Sequence, residues 1–518
     1  MARILVTETL ADTGLDKLRR AGHEVDVQLG LSPAELLIAL NGAAALIIRS
    51  STKVTAEALT AGSGLVVIGR AGIGLDNVDI AAATERGIMV VNAPESNILS
   101  AAEHTVAMLL AQARNIPQAH AALVAGRWER TQWEGVELAE KTLGVIGLGK
   151  IGRLVAARAA AFAMRVVAYD PYVGSAAARQ LGIELIELDE LLAESDFITI
   201  HVAKTKETTG LLNATRLAQC KPGVRIVNVA RGGIVNEQDL AEAISSGHVG
   251  GAALDVFVEE PTTVSPLFGL PSVIVTPHLG ASTREAQDKA GDTIADQVVL
   301  ALANEFVPYA VNVSAGEVSD TARPFLGLAE QLGRLCVALH EGVPDKIEVV
   351  YQGQLADSDT RILTLSVLKG VFAKVSDAPV SYVNAPLMAA QRGVEVQSTT
   401  SVTTTEYVNL LTVRGNEHSV SGTVVGPALA ARLVRVDENA VDLPPARHML
   451  YVRNDDRPGM IGRVGTILGE AGINITDMDV GRDPNGEPST MVVATTQAVP
   501  SSVIDRLRAE DGIVFVRP

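Results

Sequence analysis

An arginine, a glutamate and a histidine follow three successive apolar runs in the middle of this 518-residue chain. The run 225–230 ends at Arg231. The run 251–256 carries Asp255 and leads into Glu259-Glu260-Pro261. The run 272–276 ends at Pro277-His278. In an open parallel sheet, ligands sit outside the carboxyl ends of the strands, so these side chains can share one cleft. A guanidinium grips a carboxylate with a planar fork of donors and polarises a carbonyl beside it. An imidazole takes or returns a hydroxyl proton near neutral pH. A carboxylate orients that imidazole and stabilises its charged form. These are the protein groups that hydride transfer between a 2-hydroxy or 2-oxo acid and a nicotinamide requires. Singly, each has a plainer reading: a loop arginine is usually a solvated charge, and a histidine after a strand a satisfied structural group.

The joint reading rests on a nucleotide site upstream. Gly147-Leu148-Gly149-Lys150-Ile151-Gly152 lies between an apolar run, 143–146, and a helical pattern, 151–162. A second apolar run, 165–169, ends at Asp170. Strand, glycine turn, helix, strand and acid is the order of a dinucleotide-binding unit. Gly147 serves the tight turn, Gly149 the approach of backbone to pyrophosphate, and Gly152 the packing of helix on strand. The helix N-terminus offers free N–H groups and a positive dipole end. A glycine motif alone would be only a structural turn; its neighbours make it a cofactor site. Asp170 suits ribose hydroxyls and repels a 2′-phosphate, and Pro171 and Tyr172 supply no cation for one, so NAD is expected over NADP.

Other candidates carry less. His104 lies in a helical pattern and reads as packed behind the site. His201 ends a strand of the cofactor sheet and stays unassigned. His23, His120, His248, His340, His418 and His448 have no partner pattern and read as surface or structural. Cys220 and Cys336 lie far apart without metal-ligand spacing, so no metal is expected and reduced thiols of a cytoplasmic protein are.

The elements that position these groups alternate. Residues 3–98 hold apolar runs at 4–6, 25–27, 45–48, 65–68 and 89–91 with helical patterns between them. They read as a doubly wound parallel sheet that lacks a phosphate-binding glycine turn and binds something other than the dinucleotide. A linking helix is expected over 100–114, with Ser100 as N-cap and Glu103 closing a capping box. Further strands are expected at 197–202, 225–229, 252–256 and 273–276, then a helix over 283–304. Ser314, Gly316 and Ser319 mark a polar linker. Between 320 and 445, strands at 347–352, 394–398, 407–413 and 419–425 and helices near 325–340 and 359–374 carry no chemical motif, which points to an architectural or regulatory role. At the C-terminus, strand 449–452, a helix ending at 470, strands 473–480 and 490–495, helix 501–510 and strand 513–516 give the ferredoxin-like β-α-β-β-α-β order. Asp456 or Arg457 is expected near the cap of the first helix, with Pro458 at its start. The fold class is therefore α/β, with two doubly wound Rossmann-like domains, an α+β intervening domain and a ferredoxin-like C-terminal domain.

A net charge of −17 argues against a nucleic-acid partner, because phosphate backbones need clustered Lys and Arg. No apolar stretch approaches the ~20 residues of a membrane span. The chain opens on a strand rather than a signal peptide, so a cytoplasmic location is expected.

Taken together, Gly147–Gly152, Asp170, Asn228-Val-Ala-Arg231-Gly-Gly, Leu254-Asp-Val-Phe257 with Glu260-Pro261, and Thr276-Pro-His278 resemble the D-isomer-specific 2-hydroxyacid dehydrogenases. Arg70-Ala-Gly72-Ile-Gly74-Leu-Asp76-Asn-Val-Asp79, Asn92-Ala-Pro94 with Ser96-Asn97, and the module around Arg457-Pro458-Gly459 resemble its long members, which carry an intervening and a terminal ACT domain. The likeness covers essentially the whole chain. It implies NAD-dependent oxidation of 3-phosphoglycerate to 3-phosphohydroxypyruvate, the first step of the phosphorylated L-serine pathway. Arg231 would hold substrate, Glu260 would support His278, and His278 would move the proton. Lys150, Ile151, Val229, Ala230, Asp255 and Gly280 would join the glycine turn at the cofactor. Gly72 and Gly74 would offer backbone to the substrate carboxylate, and Arg49, Ser50 and Asn97 would hold the phosphate. Relatives can carry a second basic residue where this chain has Ser51, which shifts weight onto Arg49 or onto Arg127 or Arg130 of another subunit. The resemblance also implies a homotetramer with L-serine as effector, bound near Asn454, Asp456 and Asn474. It divides the chain into a substrate domain (1–98 and 284–315), an NAD domain (99–283), an intervening domain (316–446) and an ACT domain (447–518). Two alternatives remain open: a dehydrogenase of a non-phosphorylated 2-hydroxy acid, and an NAD-sensing binding protein.

Overall fold

The computed structural model describes residues 1–314, 318–340, 342–376, 380–404, 406–481 and 489–518. Gly316 of the expected linker lies outside the described residues. The first sheet holds β1 (Arg3–Val6), β2 (Glu24–Val27), β3 (Ala45–Ile48), β4 (Val67–Arg70) and β5 (Met89–Asn92), all parallel, in the order β2-β1-β3-β4-β5. Its inner strands are short Ile/Val/Leu runs because both faces are covered. One face is closed by helix Arg284–Leu302, which returns late in the chain. Its Ala290, Ile294, Ala295 and Val298 share a core with Ile4, Val6, Ile47 and Val67. This helix lies close against helix Asp12–Arg20, where a Cβ on Gly14 would fall 2.8 Å from the Gly291 carbonyl oxygen.

The second sheet holds β6 (Thr142–Ile146), β7 (Arg165–Tyr169), β8 (Glu184–Leu185), β9 (Phe197–Ile200), β10 (Val224–Asn228), β11 (Val249–Leu254) and β12 (Val273–Val275). It is parallel in the order β12-β11-β10-β9-β6-β7-β8, so the order reverses between β6 and β9. That switch point is where such sheets open a ligand crevice. β8, two residues long, leaves no periodic signal and was not expected. The linking helix runs Ile98–Ala113 and begins earlier than the sequence suggests. Its N-cap is Asn97, without a side-chain cap. Ser100 sits inside the helix, and its hydroxyl bonds Thr283 Oγ1 at 2.8 Å rather than closing a capping box.

The third sheet is mixed. β13 (Lys346–Gly353) pairs parallel with β14 (Glu395–Ser401) and antiparallel with β15 (Asn409–Arg414). β16 (Ser419–Val425), β17 (Ala430–Val436) and β18 (Asn439–Leu443) continue it antiparallel, in the order β14-β13-β15-β16-β17-β18. Helices Leu326–His340 and Arg361–Phe372 cross tightly over it: a Cβ on Gly333 would fall 2.2 Å from the Val367 carbonyl oxygen. β17, β18 and helix Ala385–Gln391 escaped the sequence reading, although β18 alternates buried and exposed residues.

The fourth sheet holds β19 (Met449–Asn454), β20 (Ile475–Gly481), β21 (Ser489–Thr495) and β22 (Ile513–Arg517), antiparallel in the order β20-β21-β19-β22. Helices Met460–Glu470 and Ser501–Arg508 complete the ferredoxin-like order. Neither Asp456 nor Arg457 caps the first helix. Its N-cap is Gly459, at φ 96°, and Pro458 precedes it. Among the described residues, no helix is long and apolar enough to cross a membrane.

Candidate active site

The carboxyl edges of the first two sheets meet at one cleft. From the first sheet, Arg49 and Ser50 follow β3, Arg70 ends β4, and Gly72 and Asn97 lie in the following loops. From the second, His278 follows β12. All six line the cleft. The structure thus brings Arg49, Ser50, Gly72 and Asn97 together with His278.

His278 and Glu260 form a pair, with Nδ1 2.6 Å from Oε2. The other Glu260 oxygen accepts from the Phe257 N–H at 2.9 Å. Burial alone would raise the Glu260 pKa. The hydrogen bonds from His278 and Phe257 hold it below the usual carboxylate value. An ionised Glu260 accepts the Nδ1 proton of the ring, which leaves Nε2 for a substrate hydroxyl. The His278 backbone sits at φ 56°, uncommon for a residue with a side chain, and its N–H donates to the carbonyls of Asp255 and Thr276.

Asp255 holds the loop that carries His278. Fully buried, it accepts from Thr276 Oγ1 at 2.5 Å, the Leu279 N–H at 2.7 Å and the Gly280 N–H at 2.8 Å. His104 Nε2 lies 3.3 Å away, behind the site. Burial would raise the Asp255 pKa, but these hydrogen bonds, that from His104 foremost, depress it. Gly280 packs on Val229: a Cβ there would lie 3.1 Å from Val229 Cγ1.

The glycine turn fits a dinucleotide. Gly147 has φ 96°, and a Cβ on it would meet the His201 carbonyl oxygen at 2.6 Å. A Cβ on Gly152 would meet the Gly147 oxygen at 2.1 Å, whereas one on Gly149 would meet nothing within 4 Å. That open side lets pyrophosphate approach. Helix Lys150–Ala161 has no side-chain cap, so its first N–H groups remain available to an anion. Asp170 accepts from the N–H groups of Leu148 and Tyr172, both at 2.8 Å, which fixes the carboxylate beside the turn. Ala230 N–H donates to Asn228 Oδ1 at 3.0 Å and sets the turn after β10. Lys150 reaches across the cleft to Glu95 at 2.5 Å. Desolvation pushes the His201 imidazole down to about 4, so it stays neutral in the wall of the turn.

Arg70 was missed as a site residue. The strand-end logic that singled out Arg231 would have found it, since β4 ends there beside Arg49. Burial, then Arg231 and Arg49, push Arg70 down to about 10. It stays protonated, yet its Nε is buried without a hydrogen-bond partner among the described residues, as is Asn97 Oδ1. Arg49 and Arg70 on one cleft wall, with Arg231 near Arg70, call for a multiply charged anion. At Gly72 the space a Cβ would fill is taken by Arg70 Nη1, only 1.6 Å from that position. This glycine therefore makes room for a guanidinium. Glu8 accepts from the N–H groups of Arg49, Ser51 and Thr52 at 2.9, 3.1 and 2.9 Å, and so pins the loop after β3. Arg127 and Arg130 are not among the residues that line the cleft of their own chain.

In the fourth sheet, Asn454 is buried. Its amide donates to the Ser489 carbonyl at 3.2 Å and its oxygen accepts from the Asp456 N–H at 3.0 Å. That side chain shapes the turn. Asn474 is exposed just before β20.

Comparison with known proteins matches residues 106–280 to the family model "D-isomer specific 2-hydroxyacid dehydrogenase, NAD binding domain". Residues 321–437 match "D-3-phosphoglycerate dehydrogenase intervening domain", and residues 448–512 match "ACT domain". The D-3-phosphoglycerate dehydrogenase of Mycobacterium leprae is 48% identical over 507 residues, 96% of each chain. That of Synechocystis is 41% identical over 99% of this chain and 94% of the relative. Among solved structures, the NAD-dependent formate dehydrogenase of Staphylococcus aureus in complex with NAD is 32% identical. It covers 59% of this chain and 97% of its own, with a TM-score of 0.54.

Proposed function

The chain belongs to the D-3-phosphoglycerate dehydrogenase family of D-isomer-specific 2-hydroxyacid dehydrogenases, and on that premise we propose how its residues carry out NAD-dependent oxidation of 3-phosphoglycerate to 3-phosphohydroxypyruvate. The observation that carries the reading is the Glu260–His278 pair, with His278 on the wall of a cleft lined by Arg49 and Arg70 and with Arg231 close enough to repel Arg70. Arg49, Arg70, Ser50 and Asn97 take the phosphate. Arg231 takes the carboxylate and polarises the oxygen at C2. His278 Nε2 removes the C2 hydroxyl proton, and Glu260 stabilises the imidazolium that results. Asp255 keeps the His278 loop in place. Gly147, Gly149, Lys150, Ile151, Gly152, Asp170, Val229, Ala230 and Gly280 hold the cofactor. When bound, NAD supplies the hydride acceptor.

The division of labour follows the sheets. Residues 1–98 with 284–315 bind substrate, 99–283 bind NAD, 316–446 intervene, and 447–518 form the ACT domain. L-serine is the effector proposed for the ACT domain, at Asp456 and Asn474, in a cytoplasmic homotetramer.

NADH formation over a panel of 3-phosphoglycerate, D-lactate and 2-hydroxyglutarate, with wild type and Arg49→Ala, tests the substrate. The phosphorylated acid should turn over fastest and lose most in the variant; equal rates for lactate would refute the phosphate assignment. A serine titration on the same sample, with sizing, tests effector and assembly together. Unchanged turnover at saturating serine would remove the effector.

A further inference from the structure

Arg231 comes from the second sheet, yet the acid that holds it comes from the first. Its Nε donates to Asp76 Oδ2 at 3.1 Å, and its Nη1 donates to the Ala230 carbonyl at 2.7 Å. Two bonds on different nitrogens fix the plane of the guanidinium. Nη2 is left to face the Gly74 backbone, where a Cβ would fall 2.1 Å from Nη2 and 2.9 Å from Asp76 Oδ2. Only glycine at 74 lets the pair form.

Asp76 is itself held in place. The next residue, Asn77, donates its side-chain amide to the carbonyls of Arg49 and Thr52, at 2.8 and 2.6 Å. Asp79 caps the following helix, Ile80–Glu85. The loop that presents Asp76 is thereby tied to the loop that presents Arg49. Two carboxylates counter the charge on Arg70, Glu8 and Asp76. Glu8 is committed to three backbone N–H groups. Asp76 is the one that bonds a guanidinium.

We propose that Asp76 is the positioning residue for Arg231: across the cleft it sets the guanidinium plane in which the substrate carboxylate and the C2 oxygen are received. This rests on the proposed reaction. In this role Asp76 acts through Arg231, the group it bonds, rather than on substrate or cofactor. A misaimed fork costs turnover because carboxylate recognition by arginine is planar and directional.

The test is steady-state kinetics of the full-length enzyme with Asp76→Asn, Asp76→Glu and Gly74→Ala. Reduction is followed for a phosphorylated and a phosphate-free 2-oxo acid. Asp76→Asn should lower kcat/KM by about tenfold or more, by the same factor for both acids, since the defect lies at the carboxylate end. Asp76→Glu should recover part of the loss, and Gly74→Ala should reproduce it. NADH affinity, from fluorescence titration, and the unfolding midpoint of Asp76→Asn should stay at wild-type values. The proposal is overturned if kcat/KM stays within about twofold of wild type, if the loss is confined to the phosphorylated acid, if Glu restores nothing, or if NADH affinity or stability falls in parallel. The wild-type ratio of phosphorylated to phosphate-free rates tests the functional reading separately, because the Asp76 comparison holds on whichever acid turns over faster.

Discussion

The seam between the first two sheets and the seam between the last two are built on opposite rules. At the first, charges of one sign are gathered and left under-compensated. Arg49 and Arg70 line the cleft with Arg231 close enough to repel Arg70, Arg70 Nε and Asn97 Oδ1 have no hydrogen-bond partner among the described residues, and His278 has a positive φ. At the second, one cluster of polar groups closes on itself. His418 Nδ1 lies 3.0 Å from Asp437, which also accepts from the Tyr451 hydroxyl at 3.2 Å and the Ser419 N–H at 2.9 Å. His340 donates from Nδ1 to the Cys336 carbonyl at 2.8 Å and accepts at Nε2 from the N–H groups of Glu417 and His418. Asp437 belongs to the third sheet and Tyr451 to the fourth, so this network docks one domain on the other. Buried polar groups are normally satisfied, so unpartnered polar atoms on a cleft wall, such as Arg70 Nε and Asn97 Oδ1, are candidates for a ligand to satisfy. The two histidines, read from sequence as surface or structural, are both bonded within this network.

If the first seam is built for a ligand, breaking it should cost reaction rather than folding. His278→Ala should lower kcat by about 10²–10⁴, with NADH affinity unchanged in a binding titration. A variant that keeps wild-type kcat would remove the proton-transfer role. Arg70→Met should lower kcat/KM for the phosphorylated acid by about 10² while sparing a phosphate-free one. Its denaturant midpoint should hold or rise, because a buried charge repelled by two neighbours is gone. A fall in stability without substrate discrimination would make Arg70 a structural residue.

Glu8 tests how far the scaffold of this seam depends on ionisation. Burial would raise its pKa, but the N–H groups of Thr52, Arg49 and Ser51 hold it below the usual carboxylate value. A depressed folded pKa stabilises above the unfolded value of about 4.3, and that stabilisation is lost as pH falls through the folded value. Glu8→Gln should therefore be about 1–2 kcal/mol less stable at pH 7, and the gap should close below about pH 4. Unfolding curves at several pH values would show it; a gap that persists in acid contradicts the assignment. The smallest effect belongs to the second seam. Tyr451→Phe should cost about 1 kcal/mol of stability and leave kcat unchanged. A large loss of turnover there would mean that the docking network itself controls the chemistry.

The two halves also touch. Lys369, on a helix over the third sheet, bonds Glu330 and Asn304 Oδ1, both at 3.0 Å. Asn304 closes the helix whose other end, at Ala286 and Gln287, lines the cleft. Ser381 Oγ donates to the Gly87 carbonyl at 2.9 Å, just before β5. None of this was visible in the sequence, where 320–445 carried no chemical motif.

Local pattern was enough for what depends on local rules. Short apolar runs between helical periods specified the first two sheets, because a strand covered on both faces must be apolar throughout. The glycine turn was legible because left-handed φ at Gly147 and the contact at Gly152 admit no side chain. Arg231, Glu260 and His278 were legible because a parallel sheet presents its strand ends on one edge. Helix starts were less so. Asn97 and Gly459 begin their helices without side-chain caps, so no capping signal existed to read. Only the tertiary structure decided which groups meet across the cleft. Arg70 joins Arg49 on the cleft wall, with Arg231 close by. Gly72 and Gly74 turned out to make room for guanidiniums, and Asp76 to hold an arginine 155 positions along the chain. Contacts between the edges of two sheets follow from how the sheets pack, and neither periodicity nor spacing along the chain encodes that distance.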